Sequence, residues 1–430
     1  MTRKSVELRN AGLYLVGESV WCFQMYMVWP ATVLTMLLTF YGADKHRGMI
    51  GAISAIGDGA VILTQVIGVY LFHSRRKRKS QLLAYHFAVI LPLMLTLAVA
   101  AWPGLPISGI ARCWLLLGCF AAMVLSIGVI VPVWSDWLAH LFRREIRGRV
   151  MGVAQCAAAL LGACGPPVAG FVIDRYKDPA VYAWLYAMAF GIAAISIAMF
   201  LFVRDDGVAQ EPETAPPTPR EMLDRFRHSL RDANFRSFLI GRMLTTAGFC
   251  IAPFVVLYYQ SAAGGVLSDR TILSCSTAQV LATAVAVLLL GLLGDRRGHR
   301  IGMIVGAVAQ VLALGVMLDG GGLGSCLVAY ACIGVCNGVF VVSFTNILFE
   351  TCPHDNRMAH LTLGSLALAP PAIIAPLLAG QVAQRFGLGA LFTICLTLSA
   401  AALLWFVFRT KEPRDLEIAP NAEQKKVGIM

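Results

Sequence analysis

Charge is scarce in this sequence: Asp, Glu, Lys and Arg make up 14% of its 430 residues, while 58% are hydrophobic. A soluble globular chain carries about a quarter charged residues. Too little polar material is present to cover the outside of a water-soluble fold of this size. A second long polar segment is also missing. The one such segment, RDDGVAQEPETAPPTPREMLDRFRHSLRDANFR at 204–236, is about thirty residues and too short to bury a core of its own, which leaves no room for a separate soluble catalytic domain. No Gly-x-x-x-x-Gly-Lys-Ser phosphate loop occurs, which removes the visible route to ATP as an energy source. Twelve cysteines are present without one Cys-x-x-Cys pair, and most lie in apolar runs. A disulfide framework is not expected. Cys332 and Cys336, one helical turn apart, read as packing rather than as metal ligands. No metal, cofactor or nucleophile–base arrangement is visible, so an enzyme is not expected.

What the sequence has instead is long apolar runs. A helix needs about 20 apolar residues to cross the hydrocarbon layer, and runs of this kind fall near 11–38, 48–72, 81–101, 113–136, 150–173, 179–203, 236–260, 271–294, 301–318, 325–349, 359–383 and 388–408. In lipid the backbone must bond within its own segment, which makes these helices; a barrel would show short alternating segments. The expectation is an all-α membrane protein of twelve transmembrane helices. The run after MTRKSVELRN is longer than a signal-peptide core and reads as a retained first span. The net charge of +11 does not point to nucleic acid. With the N-terminus cytoplasmic, most Lys and Arg fall on the cytoplasmic side, including Arg75–Lys79 and Arg143–Arg149, which is the positive-inside bias. Both termini are then cytoplasmic, in a multi-pass protein of the bacterial inner membrane whose basic loops meet lipid headgroups.

The chain is also written twice. NAGLYLVGESVW at 10–21 aligns with NFRSFLIGRMLT at 234–245, matching Asn10 with Asn234, Leu15 with Leu239 and Gly17 with Gly241. GVYLFHSRRKRK at 68–79 aligns with GLLGDRRGHR at 291–300, and 149–170 echoes 357–380. Common order and spacing divide the chain into a six-helix bundle at 1–203, a linker at 204–235, a second bundle at 236–408 and a cytoplasmic tail at 409–430. Within the linker, 219–230 has the pattern of a short amphipathic helix at the membrane surface.

Gly291, Asp295, Arg296, Gly298 and Arg300 stand in GLLGDRRGHR where the major facilitator superfamily has its loop signature between the second and third helices of a half. The chain resembles that family over roughly residues 10–410. The resemblance implies two pseudo-symmetric six-helix bundles, transport of a small solute or ion, and a monomer. It also implies that this loop is a gating latch, with Gly291 at a close helix approach, Gly298 in a tight turn and Asp295 near a helix N-terminus. The first half departs from the signature, with Phe72 and Arg75 at the Asp and turn-Gly positions. LGACGPPVAG resembles the fifth-helix signature common in the family's antiporters. Its Gly162, Gly165, Pro166 and Gly170 read mainly as helix packing.

Ionisable groups inside membrane helices are expensive and usually functional. Asp58, between Gly57 and Gly59, falls near the middle of the second helix, where a carboxyl group can take up and release a proton. Glu18 in the first helix is the second proton-coupling candidate. Its repeat partner is Arg242, a substrate-binding candidate with Gln24, Gln65 and Asn337. In the family the first helices of both halves face one cavity, so Glu18 and Arg242 are expected to pair as a gate or to share substrate and proton. Asp136 and Glu350 are expected to pair with Arg149 or Arg357, and His86 to lie at the interface. The leading expectation is a proton-coupled secondary transporter working by alternating access. An uncoupled facilitator and a non-transporting scaffold or sensor are the alternatives.

Overall fold

Without water, a backbone N–H in these apolar runs has only its own segment to bond, and helices follow. In the computed structural model the described residues are 3–72, 78–142, 144–204, 219–351 and 363–415, and they form helices and turns with no strand. The first ten spans are α1 Ser5–Phe40, α2 Arg47–Gly68, α3 Lys79–Ala101, α4 Gly109–Ser135, α5 Arg149–Tyr176, α6 Ala180–Leu201, α7 Ala233–Gln260, α8 Asp269–Arg297, α9 Arg300–Asp319 and α10 Leu323–Glu350. The last apolar stretch, Leu363–Asp415, is 53 residues long and holds two spans. Gly387, at φ 86° and ψ 171°, breaks the helix Ala369–Phe408 into α11 (369–386) and α12 (388–408). Twelve spans result among the described residues. Within the polar connection, Pro219–Ser229 is helical.

The repeat in the sequence becomes a repeat of contacts. Asn10 donates its amide to the Arg204 carbonyl at 2.7 Å and accepts from the Arg204 N–H at 3.0 Å. Asn234 does the same with Lys411, at 3.0 and 2.8 Å. Each asparagine thus ties the start of its half's first helix to the chain leaving its sixth. One level deeper, Gly17 lies against the Phe200 ring and Gly241 against the Phe406 ring, so the sixth helix of each half crosses the first at a residue with no side chain.

Three apolar cores show how the halves sit together. One joins both: Met27 to Leu38 of α1 and Met49 to Ile53 of α2 pack with Cys250 to Tyr259 of α7, Ile272 to Cys275 of α8 and residues of α11 and α12. At the other end, where Asn10 and Asn234 lie, each half has its own core. Tyr14, Trp137 and Phe200 belong to a cluster drawn from the first half alone. Phe238, Phe344 and Phe406 belong to a cluster of the second half, with Ile62 of α2 at its margin. The halves are therefore joined at the end away from the termini and separate at the end that carries them. Polar contacts follow the same division. At the joined end Arg47 donates its N–H to the Gln384 carboxamide oxygen at 3.0 Å and its guanidinium to the Ala383 carbonyl at 2.6 Å. Arg270 reaches Asp174 at 3.3 Å. Here α2 lies directly on α11: a methyl group added at Gly51 would sit 2.1 Å from the Pro376 carbonyl oxygen.

Candidate functional site

Between α2 of the first half and α7, α9, α10 and α11 of the second is a cavity of about 340 Å³. Two of its walls are wide turns. Ala55–Ala60 in α2 and Phe340–Phe344 in α10 are π-helical, and single π-turns inside α-helices recur at functional sites. Asp58 occupies the first of these turns, midway along α2, and is exposed to the cavity. Ser54 stands beside it, one turn earlier. Gly59 beside it leaves no room for a side chain, because an added methyl would lie 2.6 Å from Ile373 and 2.7 Å from the Ala372 carbonyl carbon. That close approach of α2 to α11 holds Asp58 at the seam between the halves.

Arg242 enters the cavity from α7. It is 8% exposed, and its guanidinium lies over the Phe344 and Phe340 rings at 4.8 and 5.2 Å. One terminal nitrogen donates to the Thr245 hydroxyl at 3.2 Å, while Nε has no acceptor among the described residues. No carboxylate pairs with it among the described residues. Cation–π contact offsets part of the desolvation of a buried guanidinium, but an unpaired buried charge remains costly. Gln65 and Asn337 also line the cavity, with Thr246, Phe249, Met303 and Gln310. Sequence reading passed over Gln310, whose amide donates to the Thr245 carbonyl at 3.1 Å. It stands alone as an amide in an otherwise apolar run, the same signal that marked Gln65.

Two candidates stand elsewhere. Glu18 is not among the residues lining this cavity. It is half-buried in the first half, where Gln155 of α5 stands beside both Glu18 and Tyr14. No ion pair joins Glu18 to Arg242 among the described residues, so the mirrored pair expected from the repeat is not formed in this conformation. Gln24 is buried away from the cavity lining. His86 is buried between Trp21 and Trp134 with its ring nitrogen 2.8 Å from the Leu82 carbonyl.

The sequence profile described as Major Facilitator Superfamily matches residues 14–268 and 244–429. The chain belongs to this superfamily. Solved structures agree with that fold. A mutant of the nucleoside transporter NupG superposes with a TM-score of 0.66 at 16% identity, covering 94% of this chain and 100% of that one. A POT family transporter in complex with 5-aminolevulinic acid gives 0.69 at 12% identity, covering 93% and 95%. A partially occluded, inward-open form of the xylose transporter XylE from E. coli gives 0.64 at 13% identity, covering 95% and 98%. Among curated proteins none matches the chain. The chain is thus a multi-pass membrane protein of a transporter superfamily, in the secondary-transporter class and not an enzyme.

The superfamily's loop signature takes a specific shape here. Gly298 adopts φ 84°, a left-handed turn that favours glycine. The carboxylate at the N-terminus of α9 is Glu412, which accepts from the Arg300 N–H at 2.9 Å. Asp295 and Arg296 are exposed on the last turn of α8. Arg300 donates to the Phe406 and Val407 carbonyls, and Arg414 joins Glu350 at 2.5 Å and the Asp295 carbonyl at 3.0 Å. Glu350 thus has its partner in the segment after α12; Arg357 and the Asp136 side chain lie outside the described residues, and Arg149 is exposed. Among the described residues nothing lies within 4 Å of a methyl added at Gly291, so no close helix approach among them depends on it. In the fifth helix Gly162 faces Tyr26, Gly165 lies against the Phe23 and Met27 backbone, and Gly170 packs on Arg270 and Leu273 of α8. Pro166 stands in the first turn after the break in α5, where its missing N–H costs nothing.

Proposed function

We propose that this chain moves a small solute across the bacterial cytoplasmic membrane by alternating access and that Asp58 couples the movement to protons. The observation that carries this is the position of Asp58: a carboxyl group exposed to a cavity at the seam where the halves meet. The bundles, taken as 1–203 and 236–408, rock about that seam. The end carrying the termini, placed in the cytoplasm, opens and closes in exchange with the far end. Asp58, rather than Glu18, is the coupling group because it faces the cavity. The loop around Asp295, Gly298 and Arg300, held by Glu412 and Arg414, is the latch on the cytoplasmic side. The working unit is the monomer, since both cavity walls come from one chain.

Asp58→Asn tests the coupling. In proteoliposomes it is expected to abolish accumulation driven by a pH step while leaving counterflow exchange partly intact. Accumulation equal to wild type would remove the proton role, and indifference of the wild type to a pH step would make the protein a facilitator.

A further inference from the structure

Building on that reading, we infer that the cavity takes a small organic anion, its carboxylate held by Arg242 and its apolar body lying against Phe249, Met303 and Phe340. Arg242 is more than nine-tenths buried, lines the cavity and carries at Nε an N–H without an acceptor among the described residues. Buried polar groups are almost always satisfied, so a buried guanidinium at a cavity wall with an unmet N–H is short of a partner. The two phenylalanine rings take up the face of the guanidinium. Its edge remains for a planar oxyanion, the geometry that arginine matches with paired hydrogen bonds.

The charges lining the cavity narrow the choice. Among the described residues that line it, Arg242 is the one cation and Asp58 the one acid, and no ion pair among the described residues joins them across the halves. Closing a low-dielectric cavity around a net charge is unfavourable. With Asp58 ionised, the empty cavity is neutral and has no charge left for an anion. With Asp58 protonated, Arg242 is uncompensated and a single negative charge restores neutrality. One carboxylate therefore enters with one proton, whereas a doubly charged phosphate would leave an excess. Amides of Gln65 and Asn337 serve polar substituents on the anion.

Thermal stability of the purified full-length protein with a panel of small solutes tests the site, because binding raises Tm by mass action. The panel sets benzoate, pyruvate and phenylacetate, each a monoanion, beside benzamide, benzyl alcohol, benzylamine, inorganic phosphate and anionic lipid micelles. The expected result is stabilisation by at least one carboxylate and by none of the neutral or cationic counterparts. Arg242→Gln is expected to weaken that binding by about 100-fold and Arg242→Lys by less, both with an unliganded Tm close to wild type. If Arg242→Gln does not fold, protection of the wild-type Arg242 from phenylglyoxal by the same carboxylate, read by peptide mass, replaces it. Stabilisation by neutral or cationic solutes, by phosphate or lipid alone, or by no carboxylate overturns the proposal. Binding is read without a gradient, so this failure leaves proton-coupled transport standing. A carboxylate that binds but is not moved by a pH step sinks the transport reading and leaves the anion site intact.

Discussion

A single methyl group at Gly51 should redistribute the conformations of the whole protein. Gly51 belongs to the first half, and the atom an added methyl would meet, the Pro376 carbonyl oxygen at 2.1 Å, belongs to the second. Ordinary carbon–oxygen contact needs more than 1 Å beyond that, and the obstacle is backbone, which cannot turn aside. The strain falls only on the conformation joined at the end away from the termini. Overpacking of this kind costs about 1–3 kcal/mol, which shifts a two-state equilibrium by about 5–150-fold. Cys336 lines the cavity, and its alkylation by a membrane-impermeant maleimide in vesicles of defined sidedness reports access from the termini side. Gly51→Ala should slow that labelling and speed labelling from the opposite side. Gly57→Ala is the control: its methyl would meet Phe120 of the same half at 3.6 Å, an ordinary contact, and labelling should not change. Equal labelling of the two variants would refute the idea that this seam closes in one state and opens in the other.

Three further outcomes can be checked. Asn10→Ala and Asn234→Ala each strip two bonds from a chain exit and should each cost about 1–3 kcal/mol, with additive losses in thermal denaturation; coupling between them would contradict two separate cores at that end. His299 is buried against the last turn of α8, and burial pushes its pKa below the ordinary histidine value. Glu350 and Asp295 pull it upward and Arg414 downward. The unfolded chain then binds the extra proton at about pH 6.5, so the stability His299 contributes is complete above that pH and is lost as pH falls below it. His299→Gln should flatten the decline of Tm between neutral and mildly acidic pH, and an unchanged slope would show that His299 does not titrate there. Glu412→Gln removes the charge at the N-terminus of α9 while keeping an acceptor; Glu412 is buried, where a carboxylate at such a terminus contributes up to about 2 kcal/mol, and a Tm unchanged at low salt would dismiss that role.

The repeat was legible because backbone geometry, not chemistry, demands it. Asn10 and Asn234 recur because both bind a departing chain through the same two atoms, and Gly17 and Gly241 recur because both lie under a phenylalanine ring. Hydropathy resolved α11 from α12, which run on as one helical stretch broken only at Gly387. The surroundings of His86 were not legible, because a histidine near a helix start carries no mark of its neighbours; Trp21 and Trp134 reach it from other helices.

The cavity was only half legible, and the reason lies in how a duplicated fold becomes asymmetric. Equivalent positions promise equivalent surroundings, which put Glu18 opposite Arg242. Yet the cavity draws one helix from the first half and four from the second, so mirrored residues do not receive mirrored environments. Glu18 turns into its own bundle toward Gln155, while Arg242 is held over Phe340 and Phe344 by a π-turn in α10. A π-turn shifts every later side chain around the helix axis and leaves no composition signal. Asp58 escaped this difficulty because its context is local: a carboxylate between two glycines in an apolar helix is improbable unless the backbone is bent and pressed against a neighbour. Both conditions hold at Ala55–Ala60 against Ala372 and Ile373. Charge placed by local backbone geometry can be read from sequence, and charge placed by a distant helix cannot.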